Sequence, residues 1–302
     1  MKIFSFADVG HLDAFPFFVQ RATVAAGTFA THGHHFSELV VVLSGLGRHV
    51  TEAESYPICR GDVFVLKAQT AHAFEDSSQL RVCNVMYDPD QLIRPHQNLY
   101  SVPGYQALFV LEPLYRKSYG FKGNLQLGEA ELSTVVALLD VLEREQKAQL
   151  QGYQSLLAAY FMQLVVLLSR YYSASPARPT QAIVRLADVL SYLEDNTHRP
   201  LELAELAGRA NLSKNQFLRV FKKAFDTTPI TYIANRRIQK AQRLLETTSL
   251  PISQIAFDTG FMDSNYFSRR FRQVVGQSPR DYRSTLGDNA LRHQSPTRRE
   301  QP

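Results

Sequence analysis

The sequence predicts an α+β multidomain chain. An N-terminal antiparallel β-barrel carries a helical hairpin, and an all-α domain with two helix-turn-helix units follows. Three observations predict this. Short β-rich runs broken by glycine fill residues 22–87, the apolar spacing turns helical after Gly123, and residues 200–285 contain an internal duplication.

In the first stretch, Leu39-Val40-Val41-Val42-Leu43 and Val63-Phe64-Val65-Leu66 are bounded by Gly45, Gly47, Gly61 and Asp62. Such punctuation reads as an antiparallel sandwich or barrel. Pro89 to Gly104 reads as a connection, because Pro95 and Pro103 oppose regular structure. Glu129 to Gln149 then has Leu132, Val135, Val136, Leu138, Leu139 and Leu142 spaced for one helical face. Gly152 breaks that helix, and Tyr153 to Tyr172 reads as a second, more apolar one. The pair is expected to pack as a hairpin, with surface left over for the barrel or a second copy of the chain. Domain 1–122, hairpin 123–172, linker 173–182 with Pro176 and Pro179, domain 183–286 and a flexible tail 287–302 complete the expected organisation.

The 302 residues are 45% apolar and 20% charged, enough for real cores. The start of the chain lacks a basic segment followed by an apolar run, so no secretory leader is expected. Leu156–Leu168 is interrupted by Gln163 and is short for a membrane span. Cys59 and Cys83 give no disulfide framework and are expected as buried small side chains. A cytoplasmic, non-membrane protein is expected. The charge is uneven: residues 181–302 carry 19 Lys and Arg against 12 Asp and Glu, a net +7, whereas residues 1–180 are at −2. A basic end on a slightly acidic body points to a polyanionic partner for that end.

The duplication sharpens this. Asn215, Phe217, Arg219, Phe221, Pro229 and Tyr232 recur fifty residues on as Asn265, Phe267, Arg269, Phe271, Pro279 and Tyr282. Upstream, Leu206-Ala207 recurs forty-nine residues on as Ile255-Ala256, so one residue is added in the turn. Each copy reads as helix-turn-helix. Leu203–Ala210 precedes Lys214–Phe225 with Ser213 as N-cap, and Ile252–Thr259 precedes Ser264–Val275 with Gly260 in the turn and Asp263 as N-cap. Phe217 with Phe221, and Phe267 with Phe271, lie four apart and point inward. The outward faces offer Lys214, Asn215, Gln216, Arg219, Lys222 and Lys223, then Ser264, Asn265, Ser268, Arg269 and Arg272. Arginine pairs with guanine and side-chain amides with adenine, while further cations meet phosphates. A solvated face on an ordinary helical hairpin is the alternative. Between the copies, Tyr232–Leu245 reads as a basic helix, with Arg236, Arg237, Lys240 and Arg243, serving as a rigid spacer.

Ser253-Gln254-Ile255-Ala256-Phe257-Asp258-Thr259-Gly260-Phe261, Tyr266-Phe267, Phe271-Arg272 and Ser278-Pro279-Arg280-Asp281-Tyr282-Arg283 resemble the AraC/XylS family signature. The resemblance covers about residues 183–285. It implies a seven-helix domain at promoter DNA, with Arg219 and Arg269 in the principal base-contacting positions. Asn215, Gln216, Ser264, Asn265 and Ser268 would flank them. It also implies a second role for Asp263, facing the sigma factor of RNA polymerase, beside the simple N-cap. Further upstream, His32-Gly33-His34, Glu38 and Gly45 resemble the first cupin motif, and Gly61 with His72 the second, with departures at Lys67 and Gln69. The wider pattern, including Tyr160–Leu168, resembles the L-rhamnose operon regulators of the family.

His32, His34, Glu38 and His72 are the candidate effector residues. Three histidines and a carboxylate suit a first-row divalent metal, which would make the alternative a metal-dependent cupin enzyme or metal sensor fused to a DNA-binding module. They also suit a metal-free sugar pocket, or a structural cluster. The family resemblance favours a sugar effector, with Phe36 and Phe74 as pocket walls and no cofactor. Neither a phosphate-binding glycine loop nor a nucleophile triad stands out, so no enzymatic activity is expected. The expected partners are promoter DNA, a small-molecule effector, the sigma factor and a second copy of the chain.

Overall fold

The computed structural model describes residues 2–9, 15–25, 27–52, 54–119, 125–175 and 181–292. The chain divides into two compact units, residues 1–191 and 192–302.

The first unit is built on a sheet of eight strands: β1 (Lys2–Phe4), β2 (Phe17–Thr23), β3 (Gly27–His34), β4 (Ser37–Thr51), β5 (Ser55–Cys59), β6 (Asp62–Leu66), β7 (His72–Tyr87) and β8 (Leu125–Gln126). The order is β1-β3-β7-β4-β6-β8, with β2 also on β7 and β5 also on β4. Every pair is antiparallel except β1 with β3. The long strands β4 and β7 form the spine and shift register between Val42 and Arg48. Gly45 lies there at φ +81°, and a Cβ on it would stand 2.2 Å from the Gln79 carbonyl oxygen. Only glycine fits that approach.

Alternation along the strands sorts the side chains. Val40, Val42, Phe64, Leu66, Phe74 and Val82 close one core on the inner face. On β2 the other face carries Phe17, Val19 and Arg21, and it receives the helical hairpin α4 (Glu129–Ala148) and α5 (Tyr153–Ala174). Phe161 packs against Phe17 and Tyr87, with ring centroids 5.4 and 4.8 Å apart. The Gln146 amide bonds both backbone groups of Val19, at 2.7 and 2.9 Å. The expected leftover surface of α5 therefore does meet the sheet. By length and composition alone α5 could cross a membrane, which the shorter run Leu156–Leu168 did not suggest. Its row Leu157, Phe161, Leu164, Val165 and Leu168 is buried against the protein.

The connection expected over 89–104 is largely helical. It holds α1 (Pro89–Leu92), a 3₁₀ turn at Gln97–Ser101, and α2 (Pro103–Tyr105), which runs through a π-helical stretch at Gln106–Leu111 into α3 (Glu112–Tyr119). Pro103, expected to oppose regular structure, instead opens a helix, as Pro89 does, since a first-turn residue needs no N–H partner, while Pro95 lies in a turn. The expected boundary at 122/123 and the linker residues 176–180 lie outside the described residues.

Helix α6 (Gln181–Asp195) spans the division between the units. The second unit continues with α7 (Leu203–Arg209), α8 (Lys214–Phe225), α9 (Pro229–Thr247), α10 (Ile252–Asp258), α11 (Ser264–Val275) and α12 (Pro279–Arg292). The middle helix α9 is longer than the expected 232–245, because Thr228 caps it through the Thr231 N–H and Pro229 occupies its first turn. The backbone of α12 stays helical to Arg292, inside the stretch expected as a tail, and 293–302 lie outside the described residues. Ile238, Ala241, Leu245, Ile255, Ala256, Phe261, Phe267 and Phe271 form one core of this unit.

Candidate functional site

Two sites follow from the two units. In the second unit the duplication is geometric as well as sequential. The Leu212 N–H donates to the Ala207 carbonyl at 3.0 Å, and the Phe261 N–H to the Ala256 carbonyl at 2.9 Å. Asn211 at φ +53° and Gly260 at φ +92° make the corresponding left-handed turns. Asparagine tolerates that region, and glycine adopts it freely. Ser213 then accepts from the Gln216 N–H, and Asp263 from the Tyr266 N–H. The helices α8 and α11 that follow have twelve residues each. Each closes on a left-handed residue, Asp226 and Gly276.

The four inward phenylalanines, Phe217, Phe221, Phe267 and Phe271, are fully buried. Phe221 meets Tyr232 at 5.4 Å and Phe271 meets Tyr282 at 5.6 Å, so each repeat closes on its own tyrosine. With those faces spent on packing, Lys214, Asn215, Gln216, Arg219, Lys222 and Lys223 on α8 are exposed, as are Asn265, Arg269 and Arg272 on α11. Ser264 and Ser268 are half-buried, and the Ser268 hydroxyl donates to the Ser264 carbonyl at 2.9 Å. Gln216 completes a capping box, its Oε1 accepting from the Ser213 N–H at 3.0 Å and hydroxyl at 2.9 Å.

Three cations of the helix expected as a rigid spacer make contacts within the unit. Arg236 pairs with Glu194, which is almost wholly buried, and Lys240 Nζ lies 3.7 Å from the same carboxylate and 2.7 Å from the Glu194 carbonyl. Arg237 donates to the carbonyls of Thr197 at 2.8 Å and Arg199 at 2.7 Å. These three side chains hold the end of α6 and the loop after it, where helix carbonyls lack internal partners. Desolvation lowers the pKa of both Lys240 and Arg237 from their ordinary values. A Cβ on Gly260 would lie 2.2 Å from the same Thr197 carbonyl oxygen. Arg243 remains exposed.

In the first unit a cavity of about 590 Å³ opens on the sheet's inner face. His32 and His34 of β3 and Glu38 of β4 line it, with Phe36 and Phe74 as apolar walls. Sequence reasoning missed Phe4 and Asp8 from the N-terminal segment, Gln20 and Thr23 from β2, and Asn84 and Met86 from β7. A signal for Asn84 was present: a lone amide inside the apolar run Val82–Tyr87. Its Oδ1 is buried without a hydrogen bond.

His72 stands behind Glu38 rather than among the lining residues. Glu38 Oε2 lies 3.3 Å from His34 Nε2 and 3.4 Å from His72 Nε2, and all three side chains are almost wholly buried. His49, fully buried and unforeseen, places Nε2 3.2 Å from His72 Nδ1. His34 Nδ1 is 2.6 Å from the Phe36 carbonyl oxygen. A carbonyl only accepts, so Nδ1 carries a proton, and Nε2 donates to the Glu38 carboxylate when the ring is protonated there as well. Burial pushes the Glu38 carboxyl up, but the His34 hydrogen bond and the charges of His72, His34 and His32 outweigh it and hold it below its ordinary value. Burial drives His72 well below the ordinary imidazole value, with Glu38 opposing. The donor atoms of His34, Glu38 and His72 lie within 4.8 Å of one another, a spacing and chemistry that fit a divalent metal ion. His32 falls outside that trio; its ring lies 4.4 Å from that of His72, centroid to centroid.

Residues 15–165 match the AraC-like ligand binding domain family, and residues 206–285 match the Helix-turn-helix domain family. The HTH-type transcriptional activator RhaR of Escherichia coli O139:H28 (strain E24377A / ETEC) is 30% identical over 256 residues, covering 84% of this chain and 87% of that protein. RhaR of Shigella flexneri is similar to the same extent. Among solved structures, the DNA-binding domain of AdpA, a global transcriptional factor in complex with a target DNA, is 31% identical. That match covers 37% of this chain and 98% of that one, with a TM-score of 0.34. This chain accordingly belongs to the AraC-type transcription regulators, with an AraC-like ligand-binding domain ahead of a helix-turn-helix DNA-binding domain.

Proposed function

We propose that this regulator activates sugar-catabolism genes in response to a sugar held in the cavity of its first unit, and that the sugar is L-rhamnose. One observation carries most of the weight. The similarity to the RhaR activators spans 84% of the chain and 87% of theirs. The mixture of amides, imidazoles, carboxylates and aromatic rings around the cavity suits a polyol with one apolar face. His32, His34, Glu38 and Asn84 are the proposed hydroxyl partners, with His72 holding Glu38 from behind.

On the DNA side, Arg219 and Arg269 are the proposed base readers. Asn215, Gln216, Ser264, Asn265 and Ser268 flank them, and Lys214, Lys222, Lys223 and Arg272 meet phosphates. Asp263 caps α11 and is proposed also to face the sigma factor of RNA polymerase. A second copy of the chain is the proposed occupant of the outer face of α5, where Ala158, Ala159, Met162, Val166 and Leu167 line an open groove. The protein would act in the cytoplasm and catalyse no reaction. Footprinting upstream of its own gene, with and without L-rhamnose, tests the proposal; identical protection and identical transcription would refute sensing.

The convergence of His34, Glu38 and His72 favours one second reading, a metal ion bound beneath the cavity. Elemental analysis of purified protein decides it: stoichiometric iron, manganese or zinc would support this reading.

A further inference from the structure

The two helix-turn-helix copies differ in length by one residue, and the structure identifies it. Turn hydrogen bonds correspond at an offset of forty-nine, Leu212 with Phe261, while N-caps correspond at fifty, Ser213 with Asp263. The added residue is Met262. It is 78% exposed, directly before the N-cap of α11. Four residues on, Tyr266 is 47% exposed. Tyr266 is also three residues before Arg269, a spacing that puts both on one side of the helix. The first copy has Gln216 at the position of Tyr266 and no counterpart of Met262.

The Met262 thioether stands in water, and the Tyr266 ring rests one side on Phe261, centroids 6.0 Å apart, while leaving 47% of itself exposed beside a core that Phe267 and Phe271 fill. A recognition helix presents its N-terminal residues to base edges in the major groove. There the C5-methyl of thymine is the one apolar group that a base offers. We propose that Tyr266 and Met262 read a thymine methyl beside the base read by Arg269. Asn215 and Asn265 are common to both copies, but the first has the Gln216 amide in place of the Tyr266 ring and nothing in place of Met262, so the two half-sites recognised by one chain are chemically unlike. The inference rests on the DNA-reading role proposed above.

Sites selected by the full chain from a random duplex pool give the test. The half read by α11 is the one in which Arg269→Ala relaxes base preference. Each thymine there is replaced by uracil, which keeps the pairing and loses only the methyl. One replacement should weaken binding about fourfold, the worth of one buried carbon. The double variant Met262→Ala with Tyr266→Ala should bind both duplexes equally, and Tyr266→Gln should shift preference there toward adenine. A protected site indifferent to uracil throughout that half would overturn the inference alone. So would a double variant that keeps its uracil sensitivity but loses transcription, because the pair would then dock a protein. Selection that yields no site at all would instead remove the DNA-reading role, and this inference with it.

Discussion

Arg219 and Arg269 occupy the same place in two helices of equal length. Each is the sixth of twelve residues, two after one buried phenylalanine and two before the next. Packing therefore fixes the azimuth of both arginines through Phe217 and Phe221 in one helix and Phe267 and Phe271 in the other. Replacing either arginine with alanine should cost about 1–3 kcal/mol of specific affinity and relax preference at one base position. Lys222→Ala should weaken all sequences alike and lower the salt slope by about one. Titrations against single-base variants of the site at several salt concentrations read both effects. Normal discrimination by Arg269→Ala would contradict the role given to α11.

The clamp between α6 and α9 should matter to stability more than to recognition. Glu194→Ala leaves Arg236 and Lys240 without their shared carboxylate in a mostly buried setting. Losing one member of such a group costs about 3–5 kcal/mol. Urea unfolding of the full chain, followed by loss of specific DNA binding, should show a markedly lower midpoint. A midpoint unchanged from the parent would mean that the pair is effectively solvated.

Gly260 and Asn211 provide a paired comparison. Gly260→Ala puts a Cβ against the Thr197 carbonyl in a left-handed backbone, which costs at least about 1–2 kcal/mol before any clash. Asn211→Gly, at the matching turn, should leave thermal stability nearly unchanged. A melting temperature unchanged by Gly260→Ala would show that neither the left-handed backbone nor the close approach to Thr197 carries that cost.

In the cavity, Glu38→Gln and Asn84→Leu should each abolish the thermal shift produced by the sugar. DNA affinity without effector should stay at the parental value. Glu38→Gln keeps the shape and removes the charge facing His34 and His72, whereas Asn84→Leu removes a buried acceptor with no protein partner. A full sugar-induced shift in both variants would place the effector elsewhere.

The cysteines should separate by access and thiolate fraction. Burial pushes Cys83 up to about 12, and Cys59, only half-buried, is raised by burial and by Asp62. A thiol reagent at pH 8 should label Cys59 slowly in the native protein and Cys83 only after denaturation. Simultaneous labelling of both would mean that β7 opens in the native state.

The helical half was legible from sequence because its signals are local. The spacing of Phe217 and Phe221, and the caps Ser213 and Asp263, gave α8 and α11 their observed ends. The role of α9 was not legible. Arg236, Arg237 and Lys240 look like surface cations until the end of α6 is folded beside them, about forty residues away in sequence. The cavity was half legible for the same reason. His32, His34 and Glu38 lie within seven residues of one another, whereas Gln20 and Asn84 join them only through pairing across the sheet and Asp8 comes from the 3₁₀ turn Ala7–Val9. His49 was missed because β4 bends through its register shifts before reaching His72. Pro103 misled outright, since it begins a helix, whereas Pro95 does lie in a turn.

Strands β2 and β7 give the cavity and the hairpin a common wall. Gln20 and Asn84 look inward, while their neighbours Val19 and Tyr87 touch Gln146 and Phe161 on the far side. An occupant of the cavity is thus a single ply of backbone away from α4 and α5. It can press on the hairpin without any relay of side chains, and an insertion of one residue in either strand would turn the sensing wall inside out.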